Sequence, residues 1–294
     1  MRSRARRPRR VLVTGAAGQL GSELCRTLEG AGHLAVALDH AALDICATQE
    51  VARYIADHAP DCVVNCAAWT AVDAAEADTE AAFAVNAVGP RVLAGACHHA
   101  RVLLCHMSTD YVFGGSGHTP LDESAPTAPL GAYASSKLAG EQEVRRHCPD
   151  HLLVRTSWLF GAGGPNFVLT MLRRARQGEP LRVVGDQRGS PTWTGHLAGA
   201  IVRLLELDAR GTFHLCNGGA ASWYELAVEA VRCAGIDVEV TEITTADYPT
   251  AAPRPAYSVL DARAWRLLGE PPLPPWQHGV RAYVESLEAA TQRT

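Results

Sequence analysis

Lysine is almost missing from this chain. Its 294 residues include 26 arginines but a single lysine, Lys137. An exposed lysine exchanges for arginine at little cost, whereas a lysine whose chemistry needs a compact, titratable ammonium does not. Lys137 is therefore a candidate functional residue, the plain alternative being chance survival of one surface lysine. Long apolar runs are missing too. None reaches the ~18 residues that a membrane helix needs, so no membrane partner is expected. Cysteine motifs are also lacking. The nine cysteines are odd in number and scattered, with no C-x-x-C pair. Cys62 and Cys66 flank Val63-Val64-Asn65 in an apolar run, which reads as a buried strand and not a metal site. This usage fits reduced thiols in a cytosol. His98-His99 reads as a solvated pair near a helix end. No internal repeat and no low-complexity linker occurs.

Residues 2–10 carry six arginines. The apolar stretch that follows is only Val11-Leu12-Val13, too short for a secretory signal. Residues 1–9 are therefore expected to be a disordered, solvated basic leader, with a nucleic-acid contact as the sharper alternative. Removing those six charges takes the net charge from −4 to about −10, which disfavours a nucleic-acid-binding body. The expected compartment is the cytoplasm.

Between residues 10 and 157, short apolar runs alternate with helical stretches. Strands are predicted at 10–14, 34–38, 62–66, 102–107 and 152–155. Helices are predicted at 19–29, 48–58, 76–98 (interrupted near Gly89-Pro90) and 132–147. Such alternation with continuous apolar strands means a parallel sheet covered on both faces. After Ser157 the pattern is less regular. Glycine and proline cluster at 161–165, 185–191 and 249–255, between helices near 167–176, 196–207, 223–234 and 276–288. At roughly 150 residues per domain, the expected organisation is a Rossmann-type doubly wound α/β sheet over 10–157. Residues 158–294 would form mainly a smaller, interwoven substrate-binding domain with segments returning to the sheet.

Thr14-Gly15-Ala-Ala-Gly18-Gln-Leu-Gly21 follows the first strand and opens a helix, the context a dinucleotide fingerprint requires. Gly15 permits the tight turn, Gly18 lets backbone approach a pyrophosphate at the helix N-terminus, and Gly21 allows close helix–strand packing. Asp39 ends the second strand. A carboxylate there accepts from ribose hydroxyls and repels a 2′-phosphate, favouring NADH over NADPH. The alternative is a turn aspartate, and Asp44 lies close enough to take either role.

Tyr133-Ala-Ser-Ser-Lys137 places two side chains on one helix face at i, i+4. A nearby ammonium is expected to lower the phenol pKa from its ordinary value near ~10, so that Tyr133 can protonate a carbonyl oxygen as hydride arrives at carbon. The fourth strand runs into Met107-Ser-Thr-Asp110, whose Ser108 or Thr109 hydroxyl can hydrogen-bond that carbonyl.

At these residues the chain resembles the dTDP-4-dehydrorhamnose reductase family, extended short-chain dehydrogenase/reductases that include members from antibiotic deoxysugar pathways. The carriers are the glycine loop, Asn65-Cys-Ala-Ala-Trp-Thr-Ala-Val-Asp73 with Glu76, Ser108-Thr-Asp-Tyr-Val-Phe113, the 133–141 segment and Arg155-Thr-Ser-Trp158. Asp186-Gln187, Ser190-Pro-Thr192, Trp223-Tyr224, Arg254-Pro255 and Trp276-Gln277 add to them. The resemblance implies Thr109, Tyr133 and Lys137 as the catalytic trio. It implies Gly18, Gln19, Leu20, Asp39, Asp44, Ile45, Ala68, Trp69, Thr70 and Met107 around NADPH or NADH. It also implies that Thr109, Asp110, Trp158 and Arg254 contact a dTDP-linked 4-keto-6-deoxysugar. The implied reaction is reduction of the C4 ketone of dTDP-4-dehydro-L-rhamnose, or of another dTDP-4-keto-6-deoxyhexose, by a monomer or homodimer. Trp69 stands where the family often has tyrosine, phenylalanine or histidine. Some members hold Mg²⁺ through a glutamate shortly after the Pro-Thr element. Trp193-Thr-Gly-His196 has no carboxylate there, so no metal is expected. A 4,6-dehydratase would carry Asp-Glu after the strand-tip threonine, but Tyr111 follows Asp110 here. A non-catalytic dinucleotide-binding regulatory subunit is the second rival.

Overall fold

The computed structural model describes residues 7–291. Six parallel strands form its central sheet: β1 (Arg10–Thr14), β2 (Leu34–Leu38), β3 (Cys62–Asn65), β4 (Leu103–Thr109), β5 (His151–Thr156) and, after four short strands, β10 (Gly211–His214). Their order is β10-β5-β4-β3-β1-β2. Val11, Leu12 and Val13 of β1 are all buried, as expected of a strand covered on both faces. The chain moves from β1 outward to β2 and then returns to place β3 on the other side of β1. This switch point opens a crevice at the carboxyl ends of the strands. There the Thr14 hydroxyl donates to Asn65 Oδ1 at 2.7 Å.

Helices cover both faces. On one, α1 (Gln19–Gly30) presents Leu20, Leu24 and Leu28 at i, i+4, i+8, and packs with α8 (Thr194–Glu206) over Val11, Val13 and Val154. On the other, α2 (Thr48–His58), α5 (Gly89–Ala100) and α6 (Gly131–His147) bury Val51, Ile55, Leu93 and Val144 over Leu104 and Leu153. The buried face of α6 is polar towards its start: Ser136, Lys137 and Glu141 are all inaccessible to solvent.

The expected long helix over 76–98 is instead four pieces: α3 (Val72–Ala77), α4 (Thr79–Phe83), a wide π-turn (Ala84–Val88) and α5. Asp78 makes the first break, accepting from the Ala81 N–H as the cap of α4. Gly89-Pro90 does not interrupt the helix, because Pro90 falls in the first turn of α5, where a missing N–H costs least. A Cβ on Gly140 of α6 would collide with the Asn86 carbonyl in the π-turn. The two segments therefore touch backbone to backbone.

Beyond β5 the chain alternates short strands with helices: β6 (Leu159–Phe160), α7 (Phe167–Arg176), β7 (Leu181–Val184), β8 (Arg188–Gly189) and β9 (Thr192–Trp193) precede α8. After β10 come β11 (Ala221–Ser222), α9 (Trp223–Cys233), β12 (Val240–Ile243), α10 (Arg263–Leu267) and α11 (Trp276–Thr291). A separate apolar core joins Phe160, Leu172, Leu226, Trp276 and Tyr283.

Two expectations need correction. The basic leader is not loose throughout. Residues 1–6 lie outside the described residues, but Arg7 pairs with Asp61 at 2.9 Å and the Arg9 N–H donates to His33 Nδ1 at 3.1 Å. The second correction concerns Cys66, which is not inside the strand. β3 ends at Asn65, and Cys66 is half-buried in the crevice wall. His98 and His99 are exposed in the last turn of α5. No described helix is long and apolar enough to cross a membrane.

Candidate active site

The glycine loop forms one end of a cleft of about 830 Å³ at the strand carboxyl ends. Gly15 has φ +66°, and a Cβ there would lie 2.5 Å from the Ala67 nitrogen of the neighbouring strand's loop. Gly21 is needed for a different contact from the one expected: a Cβ would strike the Gly15 carbonyl and lie 2.8 Å from the Ala16 Cα. It therefore lets α1 fold against its own loop. Gly18 is the N-cap of α1 and offers no side-chain cap, and the first turn of the helix carries no acidic residue. Its free N–H groups and positive dipole end suit a phosphate.

Gly15, Gly18, Gln19, Leu20, Gly21, Asp39, Asp44, Ile45, Ala68, Thr70 and Met107 all line this cleft. Trp69 does not. Its backbone N–H donates to Asn86 Oδ1 at 2.9 Å and its indole N–H to the Ala71 carbonyl at 3.2 Å, which turns the ring into its own loop. Asp39 takes on turn duty as well, one oxygen accepting from the Ala42 N–H at 2.9 Å. Asp44 does the same for Cys46.

Thr109, Asp110, Tyr133, Lys137 and Trp158 line the same cleft. Lys137 is buried, and its Nζ donates to the Met107 carbonyl at 2.7 Å. Burial lowers its pKa to about 8 against the opposing pull of Glu141 one turn along. Tyr133 departs from expectation. Burial pushes its phenol up to about 12, and the group that opposes this is the Thr109 hydroxyl within hydrogen-bond reach, not the Lys137 ammonium. The ammonium is instead directed at backbone.

Ser108 and Thr109 both line the cleft, and Ser108 also lies beside Glu141 of α6. The single Thr109 proton goes to Asp110 Oδ1 at 3.1 Å, while its oxygen accepts from the Tyr111 N–H at 3.2 Å. Donation from Thr109 to the phenol oxygen or to a substrate carbonyl would require its bond to Asp110 to break. Asp110 is buried and also accepts from Ser157 at 2.9 Å and Ser258 at 2.5 Å. Burial raises its carboxyl to about 6 despite those three donors.

Arg254 does not reach the cleft. Its guanidinium pairs with Asp73 Oδ2 at 2.7 Å and donates to the Ala252 carbonyl at 3.1 Å. Trp158 does reach it, with φ +47°, a backbone strain worth about 1–3 kcal/mol for a bulky residue.

The cleft also contains residues that were not predicted. Thr156 is buried, with a hydroxyl that finds no partner. Gly163 and Pro165 cross over the glycine loop: Gln19 Nε2 donates to the Pro165 carbonyl at 3.1 Å, and a Cβ on Gly163 would lie 2.8 Å from Ser22 Oγ. Trp223 closes the far end. The glycine cluster at 161–165 was the available signal for the strap, but it reads equally well as a loop. Among the described residues no group of three or more histidines, cysteines and carboxylates is placed to hold a metal.

A dinucleotide cradle and a Tyr–Lys motif lining one crevice agree with what the whole sequence matches. The chain is 45% identical over 284 residues to a Streptomyces antibioticus protein named for 4-ketoreduction of a dTDP-sugar, covering 96% of both chains. It is 44% identical over 291 residues to a dTDP-4-dehydrorhamnose reductase of Streptomyces griseus, covering 97% of this chain and 95% of that one. A dTDP-4-dehydrorhamnose reductase of Bacillus anthracis, solved in complex with NADP, superposes with a TM-score of 0.93 at 37% identity, over 95% of this chain and all of the other. The model of the RmlD substrate binding domain matches residues 9–289, and the chain belongs to that family.

Proposed function

We propose that this protein is an NAD(P)H-dependent oxidoreductase that reduces the C4 ketone of dTDP-4-dehydro-L-rhamnose to dTDP-L-rhamnose. The observation that carries the reading is the convergence of Thr109, Tyr133 and Lys137 on the cleft that the uncapped N-terminus of α1 also faces. The glycine loop fits a dinucleotide because it leaves the N–H groups of α1 uncapped, and side chains at Gly15 and Gly21 would strike the backbone that gives it its shape. Bound reduced nicotinamide supplies hydride to the ketone carbon. The chain supplies the proton. Tyr133, with its pKa near 12, is fully protonated at neutral pH and acts as the general acid towards the carbonyl oxygen. Lys137, largely an ammonium below pH 8, stabilises the phenolate left behind only after turning from the Met107 carbonyl. The Thr109 hydroxyl, within hydrogen-bond reach of the phenol oxygen, favours the phenolate once its proton turns from Asp110.

In this reading residues 10–157 hold mainly the dinucleotide and residues 158–294 mainly the sugar nucleotide. Trp158 and Asp110 face the sugar, no Mg²⁺ or nucleic acid takes part, and the enzyme works in the cytoplasm as a monomer or homodimer. Arg254 binds substrate pyrophosphate only after releasing Asp73. A second reading is reduction of another dTDP-4-keto-6-deoxyhexose, favoured by the name of the Streptomyces antibioticus relative.

The deciding assay follows NADH and NADPH absorbance separately while the protein acts on dTDP-4-dehydrorhamnose made in situ, with Tyr133→Phe as control. Oxidation by wild type and not by the variant supports the proposal and ranks the cofactors. No oxidation with either cofactor, despite tight dinucleotide binding, refutes the rhamnose assignment.

A further inference from the structure

The Trp158 carbonyl accepts from the Thr192 N–H at 3.2 Å, and its indole is held by packing. Its indole stacks on that of Trp223 with ring centroids 3.5 Å apart and planes 4° from parallel. Its edge occupies the space where Gly189 lacks a side chain: a Cβ on Gly189 would lie 2.5 Å from Trp158 Nε1. Trp223 is pinned in turn. It begins α9 behind a Ser222–Glu225 capping box. Its indole N–H donates to Gln187 Oε1 at 3.1 Å, and the buried Gln187 donates onward to Thr245 at 3.0 Å. Phe167 packs against its ring at 4.8 Å. Both indoles line the cleft that holds Thr109 and Tyr133. The left-handed backbone of Trp158 persists only where surroundings over-determine it, and the stack with Trp223 and the gap at Gly189 provide those surroundings.

We propose that Trp223 and Gly189 are specificity-determining positioning residues, holding Trp158 so that the two indoles form a rigid apolar wall against which the substrate's hexose ring lies. This rests on the sugar-nucleotide reductase reading and identifies how the same site chooses its sugar. A pyranose face with a C6 methyl buries only C–H groups against such a wall. A C6 hydroxyl pressed there loses water and gains no acceptor from an indole face. The wall therefore selects 6-deoxy sugars over their 6-hydroxy counterparts.

The full-length protein and its Trp223→Leu, Trp223→Phe and Gly189→Ala variants test this. Two indoles at this separation couple excitonically and give a far-ultraviolet circular-dichroism couplet that grows with the in-plane twist between the rings. The wild type is expected to show it, Trp223→Leu to lose it and Gly189→Ala to alter it. With an aromatic pair contributing about 0.5–1.5 kcal/mol, Trp223→Leu should raise KM for the keto-sugar nucleotide roughly two- to twelvefold. The kcat should fall less than threefold and KM for the dinucleotide should stay put. Gly189→Ala should reproduce this, and Trp223→Phe should restore most of it. Equilibrium binding of dTDP-6-deoxy-D-glucose against dTDP-D-glucose, which differ only at C6, gives a readout independent of turnover. The wild type should favour the first, and Trp223→Leu should lose the preference. Equal affinities in the wild type, or an unchanged preference and KM once the couplet is gone, would overturn the proposal. A wild-type protein that shows the couplet and the preference but reduces no 4-keto-sugar would support the wall and refute the reductase reading alone.

Discussion

Replacing Glu141 by glutamine should destabilise the protein out of proportion to a one-atom change. Glu141 and Arg155 are joined by two 2.7 Å bonds, Nε to Oε1 and Nη2 to Oε2, with side-chain exposures of 0% and 3%. Arg145 adds a contact from the rim at 3.0 Å. The Arg155 guanidinium lies 5.1 Å over the Phe113 ring and 3.5 Å from His214 Nε2. Neither neighbour can replace a carboxylate, because burial and the Arg155 charge hold His214 neutral, its pKa lowered to about 4. Removing one partner of a buried pair costs about 3–5 kcal/mol. At roughly 2 °C per kcal/mol for a chain of this size, Tm should fall by about 6–10 °C. Burial alone would raise the Glu141 carboxyl, but the bonds and charge of Arg155 outweigh it and hold the group below its usual value. A depressed carboxylate contributes stability that is present above the unfolded pKa of ~4.3 and lost as pH falls through the folded one. The gap between wild type and variant should therefore narrow below about pH 4. Denaturant titration with circular dichroism at several pH values measures it. A Tm within about 2 °C of wild type at neutral pH would refute the claim that this pair is uncompensated by its surroundings. So would a gap that widens in acid.

Lys137→Arg should leave the fold intact but reduce kcat by about a hundredfold or more, since a planar guanidinium cannot reproduce the buried ammonium 2.7 Å from the Met107 carbonyl. In the wild type, kcat/KM should decline above pH 8 as Lys137 loses its proton. A flat alkaline limb would argue against the ammonium's role. Gly15→Ala places a Cβ against the Ala67 nitrogen at φ +66°, and strain of about 1–3 kcal/mol should weaken dinucleotide binding roughly 5- to 150-fold in a fluorescence titration. Unchanged affinity would show that the loop opens freely.

The apolar strands and the helices between them were legible because burial on two faces leaves a strong pattern. β1, β2, α2 and α7 span the residues that the pattern marks. β10 was not legible. Gly-Thr-Phe-His is too short and too mixed to announce a strand, and its place beside β5 comes from packing. The break at Asp78 was missed because a capping aspartate in an alanine-rich stretch looks like a helix residue. In the site, the glycine loop, Tyr133 and Lys137 stood out by spacing, whereas Thr109 was separated from Ser108 only by the family resemblance. Arg254 and Trp69 did not behave as their motifs implied, because each satisfies a nearby protein partner. Those partners, Asp73 at 2.7 Å and Asn86 at 2.9 Å, are contacts that residue type does not encode. The direction of the Tyr133 shift was likewise hidden, since it depends on where the Lys137 ammonium points.

The π-turn Ala84–Val88 amounts to one surplus residue wound into an otherwise ordinary helix. It presents Asn86 to two places at once. The side-chain oxygen accepts from the Trp69 N–H at 2.9 Å, and the amide nitrogen donates to the Trp69 carbonyl and to Ser136 Oγ, both at 3.0 Å. One side chain thus ties the loop after β3 to the helix that carries Tyr133 and Lys137. Excising a single residue would tighten the coil and rotate everything preceding it by about 100° relative to α5, sweeping Asn86 off both partners while leaving helical content almost untouched. For this segment chain length, more than side-chain identity, is the constraint. Substitutions along its outer face should be absorbed, whereas a one-codon deletion would uncouple the two walls of the cleft.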